Sequence, residues 1–331
     1  MRNHPILGRR ALALAAAGLA LGGAVRARAQ TQAQPAWPER PVRLITPGGP
    51  GTSPDVAARL YAERLAARWG VPVAVENRAG ADGTLAAEHL TQQRDGHALL
   101  FTFISALTVA PLLHARLPFD PAEIAPVSVG VEDWLALVTP NTPPAAGLAE
   151  AVAAIREQPG RLNWASGGGD AYLAMVGFVR RQGLDMQYVS YRSPVLALPD
   201  LTQGRLRLLM LPLAAALPQA RAGQLRLLAV TNPVRSPAAP EVPTVAEAGF
   251  PDLTFQGTLA FFGPRAMPAA LRERIAADVR AVAAEPGFAE RLGPLGMVPR
   301  AGTPEELARV VEENHRHWAE RARTYGVRPT N

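Results

Sequence analysis

Short runs of strand length alternate with helical patterns along most of this 331-residue chain. Val42–Thr46 and Leu162–Ala165 are two such runs, and each leads through a glycine-rich loop into a helical pattern. In the helix after the first loop, Ala57, Leu60 and Leu65 share one apolar face. Alternation of this kind is typical of a parallel or mixed sheet covered by helices. The pattern therefore predicts an α/β protein in which the strand–loop–helix unit occurs twice.

The two glycine-rich loops are the candidate binding site. A helix N-terminus presents unpaired backbone N–H groups and the positive end of the helix dipole, so it attracts anions. Glycine allows the backbone to approach a ligand closely. We therefore predict that the loops hold a carboxylate from both sides of a cleft, through Gly51, Thr52, Ser53, Asp55, Ser166, Gly167, Gly168, Gly169 and Asp170.

A simpler interpretation of the same loops is that they are tight turns with helix caps. Ser53 is a suitable N-cap residue, Pro54 suits the first helical position, and Asp55 in the first turn complements the helix dipole. Asp55 and Asp170 also form a conceivable acid/base pair across the cleft, although capping or ligand contact explains both residues more simply.

Catalysis, metal binding and nucleic-acid binding find no support in the composition. The sequence has no cysteine and no lysine, which excludes disulfides, thiolate sites, Schiff bases and lysine-dependent phosphate loops. There is no H-E-x-x-H motif, and Ser166 lacks the Gly-x-Ser-x-Gly elbow. The net charge of +6 arises mostly from five arginines in the first 30 residues, so the rest is near neutral. We predict a protein without catalytic residues, metal or cofactor, and without a nucleic-acid partner.

The N-terminus has the pattern of an export signal. Arg2, Arg9 and Arg10 precede the apolar stretch Ala11–Val25, and Ala27-Arg28-Ala29 supplies a small-x-small cleavage site. A membrane-spanning helix needs about 20 apolar residues, so this stretch is short for an anchor. We predict a signal peptide over residues 1–29 that is cleaved after Ala29, a disordered tether over residues 30–36, and a periplasmic protein. The arginine pair leaves both the general secretory and the twin-arginine route open.

Six segments along the chain resemble one family. They are Trp37–Ile45, Val75–Ala81, Asp95–Leu99, Leu117–Pro121, Leu225–Thr231 and Val242–Gly249. In this order they resemble the Bug-type receptors, which are periplasmic solute-binding proteins of the tripartite tricarboxylate transporter family. The resemblance implies two α/β lobes of the type II periplasmic-binding architecture with the ligand cleft between them. It also implies that the two glycine-rich loops hold a ligand carboxylate.

From this resemblance we expect one lobe over residues 37–137 and 257–331 and a second lobe over residues 138–256. The passages between them are expected in the strands Leu135–Thr139 and Phe255–Phe262. The expected function is capture of a small carboxylate-bearing solute by a monomer, for the membrane subunits of a tripartite tricarboxylate-type transporter. One alternative is a ligand sensor that delivers its closed form to a membrane signalling protein. A second, less favoured alternative is an enzyme of the two-lobed α/β class.

The loops depart from the family pattern in a way that bears on the ligand. Asp170 introduces a negative charge where the family usually has a neutral residue, which suggests a ligand amine opposite it. The simpler explanation is that Asp170 caps the helix that begins near Ala171. Arg192 is the only nearby candidate for a second anionic group. We therefore expect a monocarboxylate or an amino-acid-like ligand rather than citrate.

Overall fold

The computed structural model describes residues 37–143 and 145–329. The predicted signal peptide and the predicted tether, residues 1–29 and 30–36, lie outside the described residues. Residues from Pro38 onward belong to one compact unit. Among the helices described, none is both long enough and apolar enough to span a membrane.

The first of two sheets has six strands. They are β1 (Val42–Thr46), β2 (Val73–Asn77), β3 (Ala98–Phe103), β4 (Ile124–Asp133), β10 (Gly257–Pro264) and β11 (Met297–Pro299). Their spatial order is β11-β4-β10-β3-β1-β2. β1 pairs in parallel with β2 and β3, whereas β10 is antiparallel to β3 and β4. The parallel pairs require crossover connections, which the helices between these strands supply.

The second sheet has five strands. They are β5 (Leu135–Pro140), β6 (Leu162–Ser166), β7 (Met186–Tyr188), β8 (Leu208–Pro212) and β9 (Leu225–Val230). Their spatial order is β7-β6-β8-β5-β9, with β6 parallel to β7 and β8. β5 is antiparallel to β8 and β9. We call the region around the first sheet the first lobe and the region around the second sheet the second lobe.

Helices cover both sheets. They are α1 (Ser53–Trp69), α2 (Thr84–Thr91), α3 (Ser105–Thr108), α4 (Ala110–Leu113), α5 (Leu148–Arg156), α6 (Asp170–Arg181), α7 (Leu198–Thr202), α8 (Leu213–Arg221), α9 (Ala269–Ala283), α10 (Pro286–Leu292) and α11 (Pro304–Thr324). The predicted apolar face of α1 is confirmed, because Ala57, Leu60 and Leu65 are buried. α1 ends at Gly70, whose left-handed backbone lets its N–H bond the Ala66 carbonyl at 3.0 Å.

The chain passes from the first sheet to the second at Trp134. β4 ends at Asp133 and β5 begins at Leu135. Leu135, the first residue of β5, already pairs with Pro212 of the second sheet. The passage therefore lies at the start of the strand Leu135–Thr139 rather than within it.

The return passage lies between β9 and β10. β9 ends at Val230 in the second sheet, and β10 begins at Gly257, which pairs with Asp133 in the first sheet. Phe255 donates its N–H to the Thr231 carbonyl at 3.0 Å, so the chain stays with the second lobe until just before β10. The two passages thus run side by side.

An aromatic cluster fills the core of the first lobe. The fully buried Tyr61 ring of α1 lies 4.9 Å from the Phe261 ring and 4.6 Å from the Phe288 ring, measured between centroids. The Tyr61 hydroxyl donates to the Gly130 carbonyl of β4 at 2.7 Å. A Cβ at Gly130 would approach the Phe101 ring to 2.6 Å, so glycine leaves the room that the rings occupy. This cluster fixes α1 on the sheet, and with it the loop that precedes α1.

The C-terminal helix α11 packs against both lobes. Leu307 near its start belongs to a core cluster with Ile45 and Leu100 of the first sheet. Trp318 near its end is fully buried in a cluster with Trp164 and Leu208 of the second sheet. α11 therefore connects the lobes in addition to the two passages of the chain.

We expect the substitution Tyr61→Phe to lower the free energy of unfolding by about 1 kcal/mol, because one buried hydrogen bond is lost. The Gly130 carbonyl keeps its bond from the Arg300 N–H at 2.9 Å, which limits the loss. Urea denaturation measures the change. Tyr172→Phe is the control, because the Tyr172 hydroxyl bonds to no described residue. Equal stability of the two variants would contradict the role assigned to the Tyr61 hydroxyl.

Candidate functional site

The two strand–loop–helix units end at the same cavity. β1 leads through residues 47–52, which we call loop one, into α1. β6 leads through residues 167–169, which we call loop two, into α6. A cavity of about 240 Å³ lies between these helix N-termini. Residues of both lobes line it, among them Ser53, Asp82, Thr102, Gly167, Asp170 and Arg192.

Asp55 holds loop one in place from beneath. Its carboxylate accepts hydrogen bonds from the Gly51 N–H at 2.9 Å and from Asn77 Nδ2 at 2.8 Å. It also forms an ion pair with Arg59, one turn along α1, at 2.9 Å. Burial acts to raise the pKa of Asp55, but the hydrogen bonds from Arg59, Asn77 and Gly51 outweigh it and lower the pKa. Asn77 Nδ2 also donates to the Gly48 carbonyl at 2.6 Å, so loop one is tied at both ends.

The N-cap of α1 lies one residue before the expected position. The helix begins at Ser53, and Thr52 occupies the N-cap position. The interpretation of Ser53 as the N-cap is therefore wrong. The Thr52 hydroxyl donates to the Gly49 carbonyl at 2.7 Å, which closes the turn of loop one without capping the helix. The Ser53 hydroxyl is buried and bonds to no described residue.

Loop two leaves backbone donors unused. The Gly167 N–H donates to the Met210 carbonyl at 3.0 Å, which attaches the loop to β8. No described residue accepts from the N–H groups of Gly168 and Gly169. Gly169 has a φ of +61°, a left-handed conformation that favours glycine. Loop two therefore has two N–H groups at the N-terminus of α6 that bind no acceptor within the described residues.

The structure brings most of the predicted site residues to one cavity. Six of the nine line it: Gly51, Thr52, Ser53, Gly167, Gly168 and Asp170. Asp55 lies beneath loop one, where the Gly51 N–H is used to bind it. Ser166 is buried at the end of β6, and Gly169 faces Ser105 of the first lobe. Arg192, whose orientation the sequence left open, lines the cavity.

Asp82 touches loop two from the opposite lobe. A Cβ at Gly168 would lie 1.6 Å from Asp82 Oδ1, so any larger residue at this position would displace the carboxylate. Asp82 has a φ of +55° and Ala81 a φ of +46°, conformations that L-residues adopt at a cost of about 1 kcal/mol each. Asp82 Oδ2 lies 3.4 Å from His114 Nε2. A strained turn of the first lobe therefore places a carboxylate against the backbone of the second lobe.

Sequence reasoning missed Asp82 and Asp133 as parts of the site. The flanking Gly80 and Gly83 indicate a turn around Asp82, but they do not show that the turn reaches the other lobe. Asp133 is the last residue of β4, next to the passage between the sheets, and is fully buried. Its sequence context gives no sign of a polar site.

Burial perturbs two of these carboxyls. Burial raises the pKa of Asp133 to about 8, the charge of Asp170 adds to the shift, and Ser53 and the Trp134 N–H oppose it. Burial raises the pKa of Asp170 to about 7. The Asp82 charge adds to this rise, whereas the Ala171 N–H lowers the pKa. No group of histidine and acidic side chains in the described part of the chain is arranged to hold a metal ion.

Comparison with known proteins identifies relatives over nearly the whole chain. The model of a family described as the tripartite tricarboxylate transporter family receptor matches residues 57–326. A UPF0065 protein of Bordetella bronchiseptica is 31% identical over 307 residues, which are 92% of this chain and 89% of that protein.

Two similar solved structures carry small carboxylates. Rpa4515 of R. palustris, solved with adipate, is 28% identical with a TM-score of 0.84, and the match covers 89% of this chain and 100% of that one. MatC from Rhodopseudomonas palustris, solved with bound malate, is 27% identical with a TM-score of 0.78, over 86% and 99% of the two chains. Together with the two sheets, these matches confirm the two-lobed α/β architecture expected of a periplasmic binding protein.

We expect Asp55→Asn to lower the free energy of unfolding at pH 7 by about 1–3 kcal/mol, because Gly51, Asn77 and Arg59 lose the charged acceptor that the buried carboxylate supplies. The pKa of Asp55 lies below 3.8 in the folded protein, so its contribution is complete above the unfolded value and is lost as pH falls through the folded value. In urea denaturation, the free energy of unfolding of the variant should stay below that of the unsubstituted protein from about pH 8 to about pH 5, and the difference should vanish in stronger acid.

The control for this substitution is Asp252→Asn. The carboxylate of Asp252 pairs with Arg181 at the surface, and loss of such a pair costs less than about 1 kcal/mol. An Asp55→Asn deficit no larger than that of the control would contradict the role of Asp55 beneath loop one.

Proposed function

Because this chain belongs to the receptor family of tripartite tricarboxylate transporters, we propose that it captures a small carboxylate-bearing solute reversibly and delivers it to a transporter of that type. Receptors of this family are periplasmic binding proteins. The proposal includes export by the signal peptide over residues 1–29, cleavage after Ala29, and action as a monomer.

The observation that carries the proposal is the meeting of two helix N-termini at one cavity. N–H groups of Gly168 and Gly169 and the Ser53 hydroxyl are not used within the described residues. Such groups at the positive ends of α1 and α6 are suited to a carboxylate. The adipate in Rpa4515 and the malate in MatC support a carboxylate as the ligand class.

Contact between the lobes supports capture by closure. Loop two meets the first lobe at Asp82 and at Ser105, where a Cβ at Gly169 would lie 2.9 Å from the Ser105 hydroxyl oxygen. Hinged lobes close on a ligand through dihedral changes at a few connecting residues. We propose that the first lobe extends to Asp133 and resumes at Gly257, and that the second lobe lies between them.

Capture without chemical conversion is part of the proposal. The hydroxyls of Ser53 and Thr102 at the cavity would need a general base to act as nucleophiles. No histidine is among the cavity-lining residues in the described part of the chain. Burial raises the pKa of Asp133, the acid beside Ser53, to about 8, so this carboxyl is mostly protonated near neutral pH and is not available as that base.

We expect small mono- and dicarboxylates, adipate and malate among them, to stabilise the purified protein. A ligand at a hundredfold excess over its Kd adds about 2.7 kcal/mol to the free energy of unfolding, which raises the melting temperature by several degrees. A thermal-shift screen followed by calorimetric titration measures this, and mass analysis of the recovered ligand tests for turnover. Absence of any shift across the panel, or conversion of a bound ligand, would refute the proposal.

The contact between Gly168 and Asp82 provides a test of closure. We expect Gly168→Ala to weaken binding of any carboxylate found in the screen by about tenfold or more, because the new Cβ overlaps Asp82. Gly167→Ala is the matched control, since its Cβ would make only an ordinary contact at 3.7 Å with Pro194. Adding Asp82→Gly to Gly168→Ala should restore much of the affinity, because it removes the overlap and suits a φ of +55°. Equal affinities of the two alanine variants would contradict closure at this contact.

A further inference from the structure

The charges around the cavity do not match a ligand that is only an anion. Asp82 and Asp170 line the cavity, and Asp133 lies behind Ser53 with its carboxyl within electrostatic range of Asp170. The only basic side chain among the described cavity-lining residues is Arg192. Arg192 is exposed and makes no ion pair with a described residue. A site for carboxylates therefore has more acidic than basic groups.

The Asp170 carboxylate is able to accept a hydrogen bond from a ligand. Its Oδ1 accepts the N–H of Ala171 at 2.9 Å, its own backbone N–H also favours the carboxylate, and no other described residue donates to it. The side chain is buried and lines the cavity at the first turn of α6. A buried carboxylate without a basic partner is unfavourable unless some other donor satisfies it. Both local donors are uncharged N–H groups of the first turn of α6, so they leave the charge of the carboxylate without a basic partner among the described residues.

Asp133 adds a second buried carboxyl without a basic partner among the described residues. It is fully buried, and the Ser53 hydroxyl and the Trp134 N–H lie close enough to oppose the rise in its pKa, although neither completes a hydrogen bond to it. Ser53 stands between Asp133 and the cavity. Asp133 thus places a second acidic group, mostly protonated near neutral pH, on the same side as Asp170.

Unpartnered hydroxyls line the cavity beside these acids. Ser53 is 5% exposed and Thr102 is fully buried, both line the cavity, and neither hydroxyl bonds to a described residue. Buried polar groups of a protein are normally hydrogen-bonded, so groups like these indicate a polar ligand. A hydroxyl donates to a carboxylate and accepts from an ammonium group, so these two suit either end of a ligand.

We propose that the cavity takes a zwitterionic solute, whose carboxylate lies at the Gly168 and Gly169 N–H groups and the Ser53 hydroxyl and whose ammonium group faces Asp170. This inference rests on the proposed capture of a carboxylate and specifies its substrate class. The ammonium group donates to Asp170 Oδ2 and lies in the negative potential of Asp82. A dicarboxylate would instead place its second charge beside Asp82 and Asp170, with Arg192 as its only basic partner in the described cavity lining.

Acidification distinguishes the two ligand classes. The groups that face Asp170 are Asp82 with its neighbour His114, Asp133 and Arg192. Burial and the Asp82 charge raise the pKa of Asp170 to about 7, so the carboxylate that an ammonium group needs is lost as pH falls through 7. Affinity for a zwitterion should therefore fall on the order of tenfold from pH 8 to pH 6. Affinity for a dicarboxylate should rise over the same interval, because a protonated carboxyl donates a hydrogen bond to it.

The test is calorimetric titration of the purified protein with compounds of matched length. The five-carbon set is pentanoate, 2-aminopentanoate, 5-aminopentanoate and glutarate, and equivalent four- and six-carbon sets extend it. We expect an amino compound to bind at least about tenfold more tightly than the plain acids of its set. In Asp170→Asn, which keeps an acceptor for the Ala171 N–H, the amino compound should lose its advantage over the plain acid of the same set.

Asp252→Asn, an exposed aspartate outside the cavity, is the matched control and should leave every affinity unchanged. Tighter binding of the plain acids than of the amino compounds would overturn the zwitterion proposal and leave carboxylate capture intact. An amino-compound advantage that survives in Asp170→Asn would also overturn it. Failure of all the compounds to bind would refute the proposed function and this inference together.

Discussion

The N-termini of α1 and α6 meet at one cavity, and contacts in the rest of the structure hold them in this arrangement. Each N-terminus follows a strand that ends at the cleft, and each loop is anchored on its far side, by Asp55 beneath loop one and by the Gly167–Met210 bond in loop two. The anchors use some N–H groups and leave others free. Because the free donors are backbone groups of loop two at the N-terminus of α6, their positions depend on the packing of the lobes rather than on side-chain rotamers.

Relative motion of the lobes is restricted by three connections. Two are the adjacent passages of the chain, at Trp134 and before Gly257. The third is α11, whose Trp318 ring packs edge-on against Phe255 of the return passage, with the ring centroids 5.5 Å apart. In the proposed closure, a lobe held at three neighbouring points would rotate about them rather than move away, which would bring the same residues of loop two back to Asp82 and Ser105.

The strand–loop–helix units could be predicted from the sequence because glycine, proline and helical periodicity mark them locally. β4 was missed, although it lies inside the first sheet between β10 and β11. Pro126 and Gly130 interrupt its apolar pattern, and the glycine is there because aromatic rings of other elements occupy the space of a side chain. Asp82 and Asp133 were missed for a related reason: their importance lies in contact with another lobe or in burial, neither of which is encoded in adjacent residues.

Carboxyls at the site affect stability in opposite directions. Asp55, with a lowered pKa, contributes stability above its unfolded pKa and loses it in acid. For Asp133 and Asp170 the folded pKa is raised, so between the unfolded value of 3.8 and the folded values near 8 and 7 the folded state binds more protons, and stability falls as pH rises. Near neutral pH these two groups therefore weaken the unliganded protein at the cavity itself. A cation bound beside Asp170 removes that penalty, so the same electrostatics that destabilise the empty site favour its occupancy.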